Sequence, residues 1–120
     1  LTPAAVVARA PDAQGIFAVA ARRQQQGRHD DALVLFEEAA DRGVAPALTA
    51  LGRLYDPNGF QPGRPFSSPD PRLAALYYRR AEQAGDTQAS APRAALKAYL
   101  EREAAAGNTT AADALREFWP

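Results

Sequence analysis

Cysteine is absent from this chain of 120 residues, and histidine occurs only once. The missing cysteine excludes disulfide bonds, thiol nucleophiles and cysteine-ligated metal sites. The one histidine, His29, follows Gly27 and Arg28 in a predicted turn without a nucleophile nearby, which is typical of an ordinary surface residue. Every apolar run is far shorter than the ~20 residues that a membrane span requires, so we expect no membrane insertion.

An excess of charge of either sign is missing as well. Fourteen Lys and Arg side chains balance fourteen Asp and Glu side chains. A neutral chain lacks the electrostatic footprint of a nucleic-acid-binding protein, so we expect no nucleic-acid partner. Lys97 is the only lysine among the basic residues, and this arginine bias indicates a high-GC bacterial source. Because the sequence begins at Leu1 and not at methionine, we expect it to be processed or excised from a longer chain.

Arrangements of side chains that perform catalysis are also lacking. Asp30–Asp31 and Glu37–Glu38 are acidic pairs, but helix capping and a solvated helix face account for them. The segment 62–65, Pro-Gly-Arg-Pro, lacks the lysine and the hydroxyl residue of a phosphate-binding loop. Tyr77–Tyr78 is interpreted as core, with a stacking platform as the alternative, and Trp119 as packing for the last helix. We therefore predict a protein that is not an enzyme and has no cofactor and no metal ion.

The sequence is rich in alanine, and its apolar residues recur with a helical period. Over residues 30–42 the apolar side chains recur with a 3.6-residue period, which places them on one face of a helix. Gly43 suits the left-handed conformation that ends many helices, and a second helix begins near Pro46. Gly52 leaves space in this second helix for the close approach of a neighbour. Since only three residues separate the two helices, they must pack antiparallel.

The same plan extends along the rest of the chain. Residues 1–11 are predicted to be an N-terminal cap or linker in which Thr2 and Pro3 open a short helix. Further helices are predicted over 12–26, 46–55, 71–84, 90–106 and a last stretch that contains Leu115, Phe118 and Trp119. The expected N-cap residues are Asp30 or Asp31, Asp70, Ser90, and Thr109 or Thr110. Gly107, Ala111, Leu115 and Trp119 have the spacing of a first helix, but we assign the last helix to the second position of a pair, because stacked pairs require alternation.

Two spacings carry a resemblance to known helical repeats. Gly27, Ala32, Phe36 and Ala39 resemble the second helix of a tetratricopeptide repeat. Ala47, Leu51, Gly52 and Tyr55 resemble the first helix of the related Sel-one-like repeat, and 73–85 resembles its second helix. The resemblance covers roughly residues 14–107 and implies an all-α fold in which antiparallel helix pairs stack as a short right-handed α-solenoid of about six helices. The whole of 1–120 would then be one such domain.

The resemblance also implies a function, which is binding a protein or peptide in the groove lined by the first helix of each pair. The positions that carry over to this groove are Phe17, Ala21, Gln24, Thr49, Arg53, Asp56, Arg93 and Lys97. Three cations among them would suit an acidic segment or a carboxylate terminus, and the alternative is that they are ordinary solvated charges. A regulatory or substrate-docking domain of a larger enzyme or envelope complex is the alternative function. The family resemblance implies the bacterial periplasm or cell envelope.

The segment 56–71 departs most from a minimal repeat. It contains five of the ten prolines, which predict a long loop instead of a helix. Phe60 and Phe66 within it either pin the loop to the adjacent helices or project beside Arg64 as an aromatic and cationic contact surface for a partner. We favour the pinned arrangement, because exposed phenylalanines would promote aggregation.

Overall fold

The computed structural model describes residues 1–10 and 12–120. Within these ranges the regular structure is entirely helical, with seven α-helices and no strand. The helices are α1 (Pro3–Arg9), α2 (Ala13–Gln25), α3 (His29–Asp41), α4 (Ala45–Tyr55), α5 (Pro71–Gln83), α6 (Ser90–Ala105) and α7 (Thr109–Phe118). A 3₁₀ turn, Thr87–Ala89, directly precedes α6. The all-α prediction is confirmed: the six helices predicted after residue 11 correspond to α2 to α7, and the predicted short N-terminal helix is α1.

Glycine ends four of these helices in the same way. At Gly43 the backbone has φ of 89°, and the N–H groups of Gly43 and Val44 donate to the carbonyls of Ala40 and Ala39. Gly27, Gly85 and Gly107 close α2, α5 and α6 with the same pair of bonds. A residue with a Cβ atom is strained at such a φ, so the glycine pattern in the sequence sets these helix ends.

The helix starts agree less well with the predicted caps. Asp70 caps α5 as expected, because its carboxylate accepts from the Leu73 N–H at 3.1 Å. The other expected caps are wrong. Asn108 caps α7, because its side chain accepts from the Ala111 N–H at 3.0 Å. The cap is therefore not one of the two threonines that follow. Ser90 lies inside α6, whose preceding 3₁₀ turn is capped by Asp86.

The start of α3 has no side-chain cap at all. Asp31 instead pairs with two arginines, Arg23 at 3.2 Å and Arg28 at 2.7 Å. Arg23 is buried at 7% exposure, so its guanidinium needs a carboxylate partner more than the helix terminus does. A tertiary demand therefore outweighs the local capping preference of aspartate.

Most helices pack against their neighbours in the chain, and in addition α1 contacts α3 and α5 contacts α7. α2 packs against α3, α4 against α5 and α6 against α7, while α3 also contacts α4 and α5 contacts α6. Short Gly-containing turns join α2 to α3, α3 to α4 and α6 to α7, whereas the long loop 56–70 joins α4 to α5. The molecule measures 48 × 29 × 18 Å, so it is longest along one axis.

Two hydrophobic clusters form the core and meet at the contact between α4 and α5. The first draws its buried residues from α1 to α4 and includes Ile16, Leu35 and Phe36. The second draws them from α5 to α7 and includes Tyr78, Leu96, Leu100 and Phe118. Many of the other buried members are alanines: Ala20, Ala32, Ala39, Ala47, Ala74, Ala75, Ala81, Ala89, Ala111 and Ala114. Small side chains let the helix backbones approach closely, so the molecule is held by many close contacts and few large apolar residues.

Candidate functional site

A groove of about 310 Å³ lies between α2, α4 and the 3₁₀ turn, and we name it the α2–α4 groove. Four of the residues predicted to bind a partner lie in it: Phe17, Gln24, Thr49 and Arg53. The remaining lining residues are Pro46, Ala50, Asp86 and Gln88. The first helices of two successive pairs thus contribute to a common surface.

The Thr49–Asp86 contact fixes the base of the α2–α4 groove. Thr49 is buried at 4% exposure, and its hydroxyl donates to the Asp86 carboxylate at 2.6 Å. The other carboxylate oxygen of Asp86 accepts from the Gln88 N–H at 3.0 Å. Sequence reasoning missed Asp86 and Gln88, although an aspartate directly after Gly85 is a recognisable capping signal. The groove therefore has a base that is hydrogen-bonded before any partner arrives.

Arg53 provides the free cation of the α2–α4 groove. It is exposed and forms no ion pair with any acidic side chain in 1–10 or 12–120. A guanidinium of this kind can donate two parallel hydrogen bonds to one carboxylate. Arg53 is thus available to an incoming ligand.

The prediction that Asp56 lines the partner groove is wrong. Its side chain is buried at 4% exposure and is not part of the lining of the α2–α4 groove. Its carboxylate accepts from the Tyr78 hydroxyl at 2.7 Å and from the Asn58 N–H at 2.9 Å. Burial raises the pKa of Asp56, while these two hydrogen bonds and the charge of Arg53 oppose the rise. Asp56 therefore joins the end of α4 to α5, which is a structural contact.

The other two predicted cations also lie outside the α2–α4 groove. Arg93 pairs with Glu82 at 3.3 Å, donates to the Phe118 carbonyl and stands 4.9 Å from the centre of the Trp119 ring. These contacts occupy its guanidinium and hold the end of α7 against α6. Lys97 is exposed on α6. Of the three cations expected together, only Arg53 lines this groove.

The loop before α5 is attached to α4 by an aromatic contact. Phe66 stacks on Tyr55 with ring centres 4.3 Å apart and planes inclined by 18°. Phe60 is half-buried, whereas Arg64 is exposed and contacts Gln61 at 3.4 Å. The Phe66 ring therefore lies against α4 and does not project into solvent beside Arg64.

A second groove, of about 470 Å³, lies between α3, α4 and α5, and we name it the acidic groove. α3 contributes Glu37 and Asp41, and α5 contributes Tyr77 and Arg80. The rest of its lining is Ala40, Leu48, Leu51, Gln83 and Ala84. Sequence reasoning assigned Glu37 to a solvated helix face, and the four-residue spacing to Asp41 was the one signal that two carboxylates share a face.

Tyr77 in the acidic groove belongs to a stack of three rings. It lies parallel to Tyr55, with ring centres 5.9 Å apart and planes inclined by 9°, and Tyr55 in turn stacks on Phe66. The two adjacent tyrosines therefore differ in role, because Tyr78 is fully buried whereas Tyr77 is half-buried. Partial burial raises the pKa of Tyr77, and the nearby Glu37 raises it further.

The described residues contain no group of three or more His, Cys, Asp or Glu side chains that could hold a metal ion. In residues 1–10 and 12–120, no helix is both long enough and apolar enough to cross a bilayer. No protein-family model, curated protein or solved structure matches the chain.

Proposed function

We propose that this chain is a non-catalytic protein–protein interaction module, built as a short right-handed α-solenoid of the Sel-one-like or tetratricopeptide-like kind. The packing of most helices against their chain neighbours, the recurring glycine ends and the elongated 48 × 29 × 18 Å shape support this arrangement. Stacked helix pairs expose an extended surface along their first helices. The α2–α4 groove runs along two such helices.

The partner that best fits this groove is an extended peptide that presents a carboxylate, as an acidic side chain or as its C-terminus. The proposal rests mainly on Arg53. Its guanidinium is exposed, lines the groove and forms no ion pair with another described residue. Half-buried Phe17 offers an apolar contact. The amides of Gln24 and Gln88 can bond a peptide backbone, which has no partners of its own when extended.

A peptide array provides the test. Short peptides that carry acidic side chains or free C-terminal carboxylates are compared with amidated, neutral versions, and the affinity of each hit is measured by calorimetry. Arg53→Gln should weaken the hits about 10- to 100-fold, because a hydrogen bond to a charged group contributes about 1.5–3 kcal/mol. Arg102→Gln, on the exposed side of α6, makes the same change in net charge elsewhere and should leave affinity unchanged.

Two results would contradict the proposal. One is equal binding of the free and the amidated, neutral peptides, which would show that no carboxylate is recognised. The other is an equal loss in the Arg53 and Arg102 variants, which would show only a general effect of net charge. Thermal melts of both variants check that the fold is retained.

A further inference from the structure

We infer that the acidic groove is a second binding site, separate from the α2–α4 groove, and that it takes the arginine side chain of a basic peptide segment. Its volume of about 470 Å³ falls within the roughly 300–1,000 Å³ typical of ligand clefts. Three consecutive helices, α3, α4 and α5, form its walls. The inference depends on this chain's own residues and does not require the proposed function of the other groove.

The two carboxylates of the groove are not neutralised by an internal ion pair. Glu37 and Asp41 take part in none of the ion pairs of the described residues. The nearest arginine in sequence, Arg42, is occupied by Glu38 at 2.9 Å. Partial burial, and then the like charge of Asp41, raise the pKa of Glu37. A cation placed between the two carboxylates would relieve this repulsion, so the charge of the groove is complementary to a basic partner.

The opposite wall carries an aromatic ring that is already held in place. Tyr77 stacks on Tyr55, which stacks on Phe66, so the ring loses little freedom when a ligand contacts it. A planar guanidinium can lie against such a ring and at the same time donate two hydrogen bonds to a carboxylate. A lysine ammonium can also approach a ring and a carboxylate, but it cannot stack as a plane or donate a matched pair of parallel hydrogen bonds to one carboxylate. The combination of ring and carboxylates therefore selects arginine.

Arg80 is a resident cation of the acidic groove. It lines the same groove but forms no ion pair with Glu37 or Asp41. Its charge therefore lowers the attraction for a basic ligand without occupying the acidic side. Removal of this charge should strengthen binding, a result that loss of structure would not produce.

The probe is an N-acetylated, C-amidated peptide of alternating arginine and glycine, which has no carboxylate for Arg53. Binding to the full chain is followed by amide chemical shifts in nuclear magnetic resonance. We expect saturable shifts at 36–41 and 77–84, and weaker binding of the matched lysine peptide. Arg80→Gln should tighten the arginine peptide about threefold or more, since removing a like charge favours the complex.

Paired variants separate the groove from general electrostatics. Glu37→Gln with Asp41→Asn should weaken the arginine peptide about 10-fold or more. Asp30→Asn with Glu101→Gln makes the same change in net charge at two exposed positions and should have little effect. Tyr77→Leu keeps an apolar side chain and should weaken arginine binding towards the affinity of the lysine peptide.

Four results would overturn the inference. They are no saturable binding at millimolar peptide, shifts that lie outside the groove, equal losses in the two paired variants, and equal affinity for arginine and lysine peptides. Melting curves identify any variant that has lost its fold. In that case the affinity change in Arg80→Gln, which substitutes an exposed side chain, decides the question.

Discussion

The helix pairs α2–α3 and α4–α5 each bury one aromatic side chain at an equivalent position of their second helix. The surroundings of the two rings differ. Phe36 and Tyr78 each lie seven residues before the glycine that ends their helix, and they are 1% and 0% exposed. Phe36 packs in an apolar setting, with the Phe17 ring centre 5.8 Å away. Tyr78 also places a hydroxyl in the core, which must find a partner.

The second pair meets this demand with two further residues. Gly52 on α4 provides the space, since a Cβ there would stand 2.6 Å from the Tyr78 ring. Asp56, just after α4, provides the acceptor at 2.7 Å. Asp56 also begins the long loop before α5, so the loop is tied to the core at its first residue. One added hydroxyl thus makes the second pair dependent on a glycine, on a buried carboxylate and on the loop.

Phe36→Ala should have the largest effect on stability, because it leaves a cavity in the apolar pair. We expect a loss of about 3–5 kcal/mol in the free energy of unfolding, measured by urea denaturation. Val34→Ala on the same helix, at 48% exposure, is the control and should change it by less than ~0.5 kcal/mol. A loss below ~1 kcal/mol for Phe36→Ala would mean that this side chain is not part of the core.

Gly52→Ala tests the close approach in the second pair. The added methyl group meets a ring that is fully buried and hydrogen-bonded, so the ring cannot move away, and a loss of about 1–3 kcal/mol is expected. In a Tyr78→Leu background the same substitution should cost less or stabilise, because alanine favours a helix by about 1 kcal/mol over glycine. Equal effects in the two backgrounds would show that Gly52 and Tyr78 do not interact.

The hydroxyl itself is tested by Tyr78→Phe. Asp56 then loses one donor while it stays buried, and stability should fall by about 1–2 kcal/mol in the same denaturation assay. The reciprocal change, Phe36→Tyr, places a hydroxyl in the apolar pair and should also destabilise. If Phe36→Tyr is neutral, the contrast between the two pairs is wrong.

Phe66→Ala tests how firmly the loop is attached to the second pair. Loss of the stacking on Tyr55 should cost about 0.5–1.5 kcal/mol, in addition to a smaller burial term. Thermal melts of Phe66→Ala and of Arg64→Ala, an exposed neighbour, provide the comparison. A lower melting temperature in the arginine variant alone would contradict the pinned arrangement of the loop.

The smallest expected effect is the pH dependence that Asp56 gives to the second pair. Burial raises its pKa above the ordinary 3.8, so the folded state holds this proton more readily than the unfolded chain does. Its contribution to stability is complete below pH 3.8 and is lost as the pH rises through the raised pKa. Asp56→Asn should therefore gain stability relative to the parent protein across this window, as measured by urea denaturation at several pH values. Parallel pH profiles would rule out a contribution from Asp56.

Much of the fold could be predicted from the sequence, because its signals are local. Glycines at 27, 43, 85 and 107 end helices through a conformation that other residues rarely adopt. Asp70 and Pro71 begin α5, and the prolines of 56–71 exclude a helix between α4 and α5. The caps were less predictable, since Asp31 is taken by the buried Arg23 and Asn108 precedes two equally suitable threonines.

The composition of the candidate sites was decided only by the tertiary structure. Phe17, Gln24, Thr49 and Arg53 share a groove because α2 and α4 both line it, whereas Glu82 and the Phe118 carbonyl hold Arg93 elsewhere. The acidic groove joins Glu37 to Tyr77 across 40 positions of sequence, which no local period can indicate. Local residue types fix where the helices end and turn, since backbone sterics and hydrogen bonding act over a few residues. Whether a charged side chain has an internal partner depends on which helices pack together, and this depends on the tertiary structure.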